Sequence, residues 1–293
     1  MLRERYERSL ESLRSCRLCP RECGVNRLAG ELGVCRAGAE ATVAAVSVHH
    51  GEEPPISGDM GSGTVFFSHC NLKCLFCQNY PISQMGAGQP MTGAQLGDRL
   101  LDLERRGAHN VNFVTPTPHA PQMLGALLAA REKGFSLPVV YNTSGYDSLE
   151  TLSLFEGIVD IYLPDMKYRS GELSGSASGA ADYPEHNERA IGEMMRQAGP
   201  LSCDRSGIAR RGVLIRHLVL PGRVEETERV LAYLRREYGE RVPISLMGQY
   251  FPAYRATGVP GYGRKLAADE YRRAVEAAER LGLTEVYIQE IEP

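Results

Sequence analysis

Apolar residues recur along this chain with two different periods. Short runs at 64–69 (TVFFSH), 110–115 (NVNFVT), 137–142 (LPVVYN), 158–163 (IVDIYL), 213–220 (VLIRHLVL) and 242–247 (VPISLM) are rich in β-branched and aromatic residues and read as strands. Between them, 93–106 with Leu96, Leu100 and Leu103, then 120–133, 148–156, 185–198, 224–238 and 268–282, carry helical spacing. Strand followed by helix, over and over, predicts a parallel α/β sheet. A last run, EVYIQEI at 285–291, predicts an added edge strand.

Polar or Gly/Pro-rich stretches follow nearly every predicted strand: TPTPHAP, NTSGYD, PDMKY, PGR and GQYFPAY. A barrel gathers its strand C-termini around one mouth, whereas a doubly wound sheet concentrates its site at one crevice. The distribution therefore predicts an α/β barrel of TIM-like type, complete or partial, over residues 61–293. Residues 1–60 are expected to form an N-terminal helix and a short Cys-rich metal-binding extension. The small-residue stretch RSGELSGSASGAAD (169–182) has too little surface to bury and is expected to be a mobile loop at the mouth.

Composition narrows the setting. The 293 residues carry a net charge of −3, and their Lys and Arg residues are scattered, so nucleic acid is not an expected partner. No apolar run approaches the roughly 18 residues a membrane span needs, and the charged N-terminus MLRERYERSLESLRSC is unlike a signal peptide. A soluble cytoplasmic protein is expected. In a reducing compartment its eight cysteines read as metal ligands sooner than as disulfides.

Seven of the eight cysteines fall in the first 77 residues. Cys16, Cys19, Cys23 and Cys35 make a complete set of four, with Gly24, Gly30 and Gly33 to allow tight turns, and suit either Zn²⁺ or a [4Fe–4S] cluster. Cys70, Cys74 and Cys77 make a set of three. A [4Fe–4S] cube takes one thiolate per iron, so three leave one iron open to a substrate or cofactor. A zinc knuckle would need a fourth ligand, and His69 adjoins Cys70 too closely to supply it. Cys203 is expected to be a small buried hydrophobe, and His119 and His217 to be structural. Glu52 and Glu53, in HHGEEPP, are expected to cap a turn, with substrate binding as the alternative.

The C-x3-C-x-φ-C loop, with Phe76 at the aromatic position and the strand TVFFSH before it, resembles the radical S-adenosylmethionine (SAM) enzymes. CRLCPRECGVNRLAGELGVC, then HHGEEPPISGDMGSGTVFFSHCNLKCLFCQNYPIS and VNFVTPTPH, resemble an uncharacterised branch related to pyruvate formate-lyase activating enzymes. This resemblance implies a partial (β/α)6 TIM-like barrel with SAM across the strand ends, an open iron that chelates SAM, electron transfer that cleaves it to a 5′-deoxyadenosyl radical, and hydrogen abstraction from a protein or peptide. It also implies a reductant such as flavodoxin or ferredoxin. NTSGY, PDMK and HLVLPG align with the activating enzymes' later strand ends. By resemblance Thr143, Ser144, Asp165 and Lys167 face SAM, with Lys167 near its carboxylate; Asp165 and Lys167 stand two apart, so an extended segment points both to one side. Where activating enzymes have Gly-Gly-Glu-Pro this chain has Thr115, Pro116, Thr117 and Pro118, so Thr117 and backbone carbonyls are left to accept from the SAM ammonium. A small-metabolite substrate is the alternative reading, and a non-catalytic iron–sulfur carrier, which would saturate its cluster with protein ligands, is the other.

Overall fold

The computed structural model describes residues 2–289. Its strands are β1 (Ala41–His49), β2 (Ser62–Phe67), β3 (Gln89–Met91), β4 (Val111–Val114), β5 (Val139–Thr143), β6 (Ile161–Pro164), β7 (Ser202–Cys203), β8 (Ala209–Val213), β9 (Ile215–Leu218), β10 (Ile244–Met247) and β11 (Val286–Ile288). Its α-helices are α1 (Leu2–Glu11), α2 (Pro54–Ser57), α3 (Tyr80–Ser83), α4 (Gly93–Arg105), α5 (Ala120–Arg131), α6 (Leu149–Ser153), α7 (Gly171–Ser178), α8 (Tyr183–Ala198), α9 (Val224–Tyr238) and α10 (Ala268–Arg280).

The sheet order is β3-β1-β2-β4-β5-β6-β8-β7, with β11-β10-β9 as a second sheet. The two join at a parallel bridge between Asp165 and Arg216, just past the β6–β8 pairing, because β8 and β9 are one strand interrupted at Leu214. From β2 through β4, β5, β6 and β8/β9 to β10 and β11 every pairing is parallel, which is the partial barrel expected. The run at 285–291 is strand only over β11, and its residues 290 and 291 lie outside the described residues.

β1 has no counterpart among the expected strands. It pairs antiparallel with β2 from Val43 to His49, so the expected boundary at residue 60 falls within a hairpin of the sheet. Its burial follows no clean alternation, since one end is buried and the other half-exposed, and no period was there to read.

Period-two alternation divides each barrel strand between two environments. Val65, Phe67, Val111, Phe113, Val139, Tyr141, Tyr162, Val213, Ile215 and Ile244 face outward into the main core, which they share with Leu96, Leu100, Leu127, Ile191 and Leu234 of the surrounding helices. The opposite set faces the lumen. Val140, Ile161, Leu163 and Leu214 pack there with Ile56 of α2. α2 sits under the N-terminal ends of the strands, since Asn110, just before β4, donates to the Ile56 carbonyl at 2.8 Å and accepts from Ser62 at the start of β2 at 2.6 Å. Ile56 therefore closes the barrel floor.

Residues 169–182 are not a mobile loop. They hold α7, capped by the Ser170 hydroxyl, which accepts from Leu173 N at 3.2 Å, and closed by Gly179 at φ +67°. Ser174, Ala177 and Ser178 are buried. Small residues are there because the backbone of the cysteine loop docks directly on the helix end: Lys73 N donates to Ser178 O and Leu75 N to Ala177 O, both at 2.9 Å. Composition suggested disorder, and close backbone approach explains it instead.

Candidate active site

The cysteine loop leaves β2 at the mouth of the barrel. Its first residue, His69, takes a left-handed φ of +71°, and Thr115, just past β4, takes +59°. Each such non-glycine residue costs about 1–3 kcal/mol, a strain found where a site dictates backbone direction. Gly86 presses on the His69 imidazole, so closely that a Cβ there would come within 2.6 Å of Cε1.

Each thiol of the triad has a polar neighbour. Leu72 N donates to Cys70 Sγ at 3.4 Å, Ser178 Oγ lies 2.9 Å from Cys74 Sγ, and Ser83 Oγ lies 3.0 Å from Cys77 Sγ. Burial pushes the Cys70 thiol up to about 12, with the neighbouring Cys74 and Cys77 adding to it, and burial also raises Cys74. Buried thiols of this kind ionise when a metal cation replaces the proton, and hydroxyl and amide donors then satisfy the remaining sulfur lone pairs. The donor set therefore fits a thiolate-bound cluster. Among the described residues, no three His, Cys, Asp or Glu side chains are already gathered to metal-ligand geometry.

Phe76 is buried and stacks on Tyr262 at 6.1 Å, with Tyr250 tilted against it at 5.8 Å. Arg255 N donates to Leu75 O at 3.0 Å. The segment after β10 thus clasps the cysteine loop from the side opposite α7.

Cys16, Cys19, Cys23 and Cys35 line one small cavity. Gly33 must be glycine there, because a Cβ would meet Cys23 Sγ at 2.7 Å. Burial pushes Cys19 up to about 12, with Cys35 and Cys16 contributing. This knuckle packs directly on the triad loop: Arg21 Nε donates to Asn71 O at 3.0 Å, and Asn71 Nδ2 donates to Tyr146 O at 2.6 Å.

The strand-end residues are arranged around two carboxylates. Asp165 Oδ2 accepts from Lys167 Nζ at 2.6 Å and Oδ1 accepts from Arg216 Nε at 3.0 Å. Burial alone would raise Asp165, but Arg216 and Lys167 outweigh it and hold the carboxyl below its usual range; Lys167 is raised in turn by Asp165 and Cys74 against its own burial. Arg216, unremarked in the sequence, is the centre of this group. Its Nη2 donates to Asn142 Oδ1 at 2.6 Å and its Nη1 lies 3.8 Å from Glu52 Oε2.

The second carboxylate is Asp147, which sequence reading also passed over inside NTSGYD. Fully buried, it accepts from Thr143 at 2.6 Å, Thr117 at 2.7 Å and Tyr141 at 2.9 Å, and burial raises its pKa despite these donors. The Thr117 and Thr143 hydroxyls are thus committed to Asp147, and Thr117 is only 1 % exposed. Ser144 contributes its carbonyl to Tyr183 Oη at 2.8 Å. Thr115 N donates to Asn142 O at 2.9 Å.

His119 and His217 are structural, as expected. His119, lowered by burial to about 3, meets the Ser68 carbonyl at 2.8 Å, and His217 bridges Met166 O and Thr227 Oγ1. Two expectations fail. Cys203 lies exposed on β7, because a two-residue edge strand has no layer above it to bury a thiol. Glu52 and Glu53 do lead into α2, but neither side chain caps it, and both residues line the barrel cavity with Arg216 and Asn142. Burial lifts Glu52 to about 7 against the pull of Arg216. A signal for them existed in the alternation: Asn112, Asn142, Asp165, Arg216 and Ser245 are polar at inward positions of otherwise apolar strands, and such a lumen calls for polar company from below.

A family model described as the radical SAM superfamily matches residues 64–168, from β2 through the cysteine triad to Tyr168. The uncharacterized Methanocaldococcus jannaschii protein MJ0674 is 31% identical over 284 residues, covering 94% of this chain and 77% of that one. Among solved structures, the FeFe-hydrogenase maturase HydG from Carboxydothermus hydrogenoformans superposes with a TM-score of 0.56 at 14% identity, covering 79% of this chain and 54% of HydG. Streptococcus suis SuiB bound to its precursor peptide SuiA gives 0.50 at 14% identity, covering 75% and 46%. The chain thus spans about half the length of these solved structures. With a three-thiol loop after the first barrel strand, hydroxyl and amide groups against those thiols and a matching family model across both, the chain belongs to the radical SAM superfamily.

Proposed function

We propose that this chain reductively cleaves SAM and uses the resulting 5′-deoxyadenosyl radical to abstract hydrogen from a protein or peptide substrate, in the manner of pyruvate formate-lyase activating enzymes. The observation that carries the reading is the Cys70, Cys74 and Cys77 triad, which supplies three sulfurs and no fourth on a loop clasped from both sides. A [4Fe–4S] cluster held there would supply the electron and an iron open to the SAM amino and carboxylate groups. The protein's own part is to orient and exclude water. Ser178 and Ser83 donate toward the sulfurs, and Lys167, beside Cys74, offers a cation for a carboxylate. Arg216 and Asp165 hold Lys167 in place at the strand ends.

A reductant protein such as flavodoxin or ferredoxin completes the reading, and the four N-terminal cysteines hold a second metal, zinc or iron–sulfur. No helix among the described residues is long and apolar enough to cross a membrane, and the reaction is assigned to the cytoplasm. A peptide is favoured over a small metabolite because SuiB, a structural neighbour, carries a bound precursor peptide.

Anaerobically reconstituted protein, given SAM and a strong reductant, is expected to form 5′-deoxyadenosine, and alanine at Cys70, Cys74 and Cys77 together to abolish it. Undiminished formation in the triple variant overturns the reading. Deuterium transferred from labelled candidates into 5′-deoxyadenosine then separates peptide from metabolite.

A further inference from the structure

The barrel lumen gathers more carboxyl groups than cations. Glu52, Glu53 and Asp165 supply three carboxylates, and Arg216 and Lys167 two cations. Both cations are already engaged: Lys167 with Asp165, and Arg216 with Asp165, Asn142 and Glu52. Glu53 is left over. Its side chain lines the cavity, the residue is only 9 % exposed, and its Oε2 is buried without a hydrogen-bond partner. On the inward face of β4, Asn112 is fully buried, and its amide lies against Glu52 without completing a hydrogen bond of ordinary geometry.

Buried carboxylate oxygens without donors are costly, and the cost is removed by a cationic donor. The chain has built this arrangement rigidly. Pro54 and Pro55 open α2 directly after Glu53, the Glu53 carbonyl accepts from Ile56 N at 2.8 Å and Ser57 N at 3.0 Å, and Glu52 N donates to Ser57 Oγ at 3.0 Å. Ile56 anchors the turn in the barrel floor, so both carboxylates rise from below toward the mouth where the cysteine loop lies. Phe66, Val114 and Met247 add an apolar wall to the same cavity, suited to the methylenes behind a cationic head.

We propose that the lumen is a substrate subsite in which Glu53, with Glu52, binds an alkylammonium or guanidinium group. The inference rests on reading this barrel as a radical SAM site and adds the chemistry of the substrate's deepest group. That group belongs to a free amine or to a basic side chain of a peptide, and both present the same head to Glu53.

Calorimetric titration of the full chain with pentylamine against 1-pentanol, and with the tripeptide Ala-Lys-Ala against Ala-norleucine-Ala, tests it. At least one ammonium probe should bind tenfold or more tightly than its neutral counterpart, and Glu53→Gln should remove that preference. The pair that shows the preference names the source. Equal binding of charged and neutral probes in both pairs, or a preference unchanged in Glu53→Gln, overturns the proposal and leaves the orphaned atoms to water. Should Glu53→Gln not fold, Glu53→Asp, which keeps the charge but withdraws it by one methylene, must weaken the ammonium probe; unchanged binding again overturns the proposal. 5′-Deoxyadenosine formation by the unaltered chain is scored separately, so loss of the SAM reading and loss of the cation subsite are told apart.

Discussion

Glu52 should make the protein's stability fall with rising pH across a defined window. Its carboxyl moves from an ordinary 4.5 to about 7 on folding, because burial outweighs the attraction of Arg216. Between those values the unfolded chain has lost the proton and the folded chain keeps it, so the folded state binds more protons and stability declines as pH rises. The full effect is present above pH 7 and absent below pH 4.5. Two and a half pH units at about 1.4 kcal/mol each come to roughly 3 kcal/mol. Glu52→Gln keeps the shape without the charge, and Arg216 retains Asp165 and Asn142 as partners. The variant should therefore match the wild type near pH 4 and gain up to roughly 3 kcal/mol over it by pH 8. Urea unfolding of both proteins from pH 4 to 8, read as the difference in midpoint, cancels the titrating groups that do not interact with Glu52. Curves that run parallel across the range would mean that Glu52 ionises as it does in water, and the buried placement would be wrong.

Asp147→Ala strands three buried hydroxyls and should cost about 3 kcal/mol or more in unfolding free energy, whereas Thr117→Val removes one donor and should cost about 1–2 kcal/mol; equal costs would deny Asp147 its central role. Lys167→Ala should weaken SAM binding by more than ~1.5 kcal/mol, roughly tenfold, in titrations of the reduced protein, and wild-type affinity would remove Lys167 from the SAM carboxylate. Ser178→Ala withdraws the hydroxyl from Cys74 and should make the cluster potential more negative in anaerobic potentiometry, since hydrogen bonds to cluster sulfurs raise it; an unchanged potential would reduce Ser178 to packing. Metal analysis of the Cys70, Cys74 and Cys77 triple variant should still find zinc or iron at the four N-terminal cysteines, and a folded, metal-free variant would refute that second site.

By itself the chain determined its periods and its thiol spacings. The helices expected at 93–106, 120–133, 224–238 and 268–282 appear as α4, α5, α9 and α10, and the expected strands appear as β2, β4, β5, β6, β8/β9 and β10, because each buries one face or stripe and so writes its period into local sequence. The triad was equally legible, since ligand spacing within one loop is a local property. Tertiary structure alone decided what depends on partners distant in sequence. Arg216 matters because Asp165, Asn142 and Glu52 meet it, Asp147 because Thr117 and Tyr141 turn toward it, and α7 because residues 73–75 dock on its end. Apart from Tyr141, six residues from Asp147, none of those neighbours lies within reach of a local period. The glutamates of HHGEEPP show the division most plainly: two prolines make them look like a turn, and only closure of the barrel puts a floor beneath that turn and turns their carboxyls into the lumen.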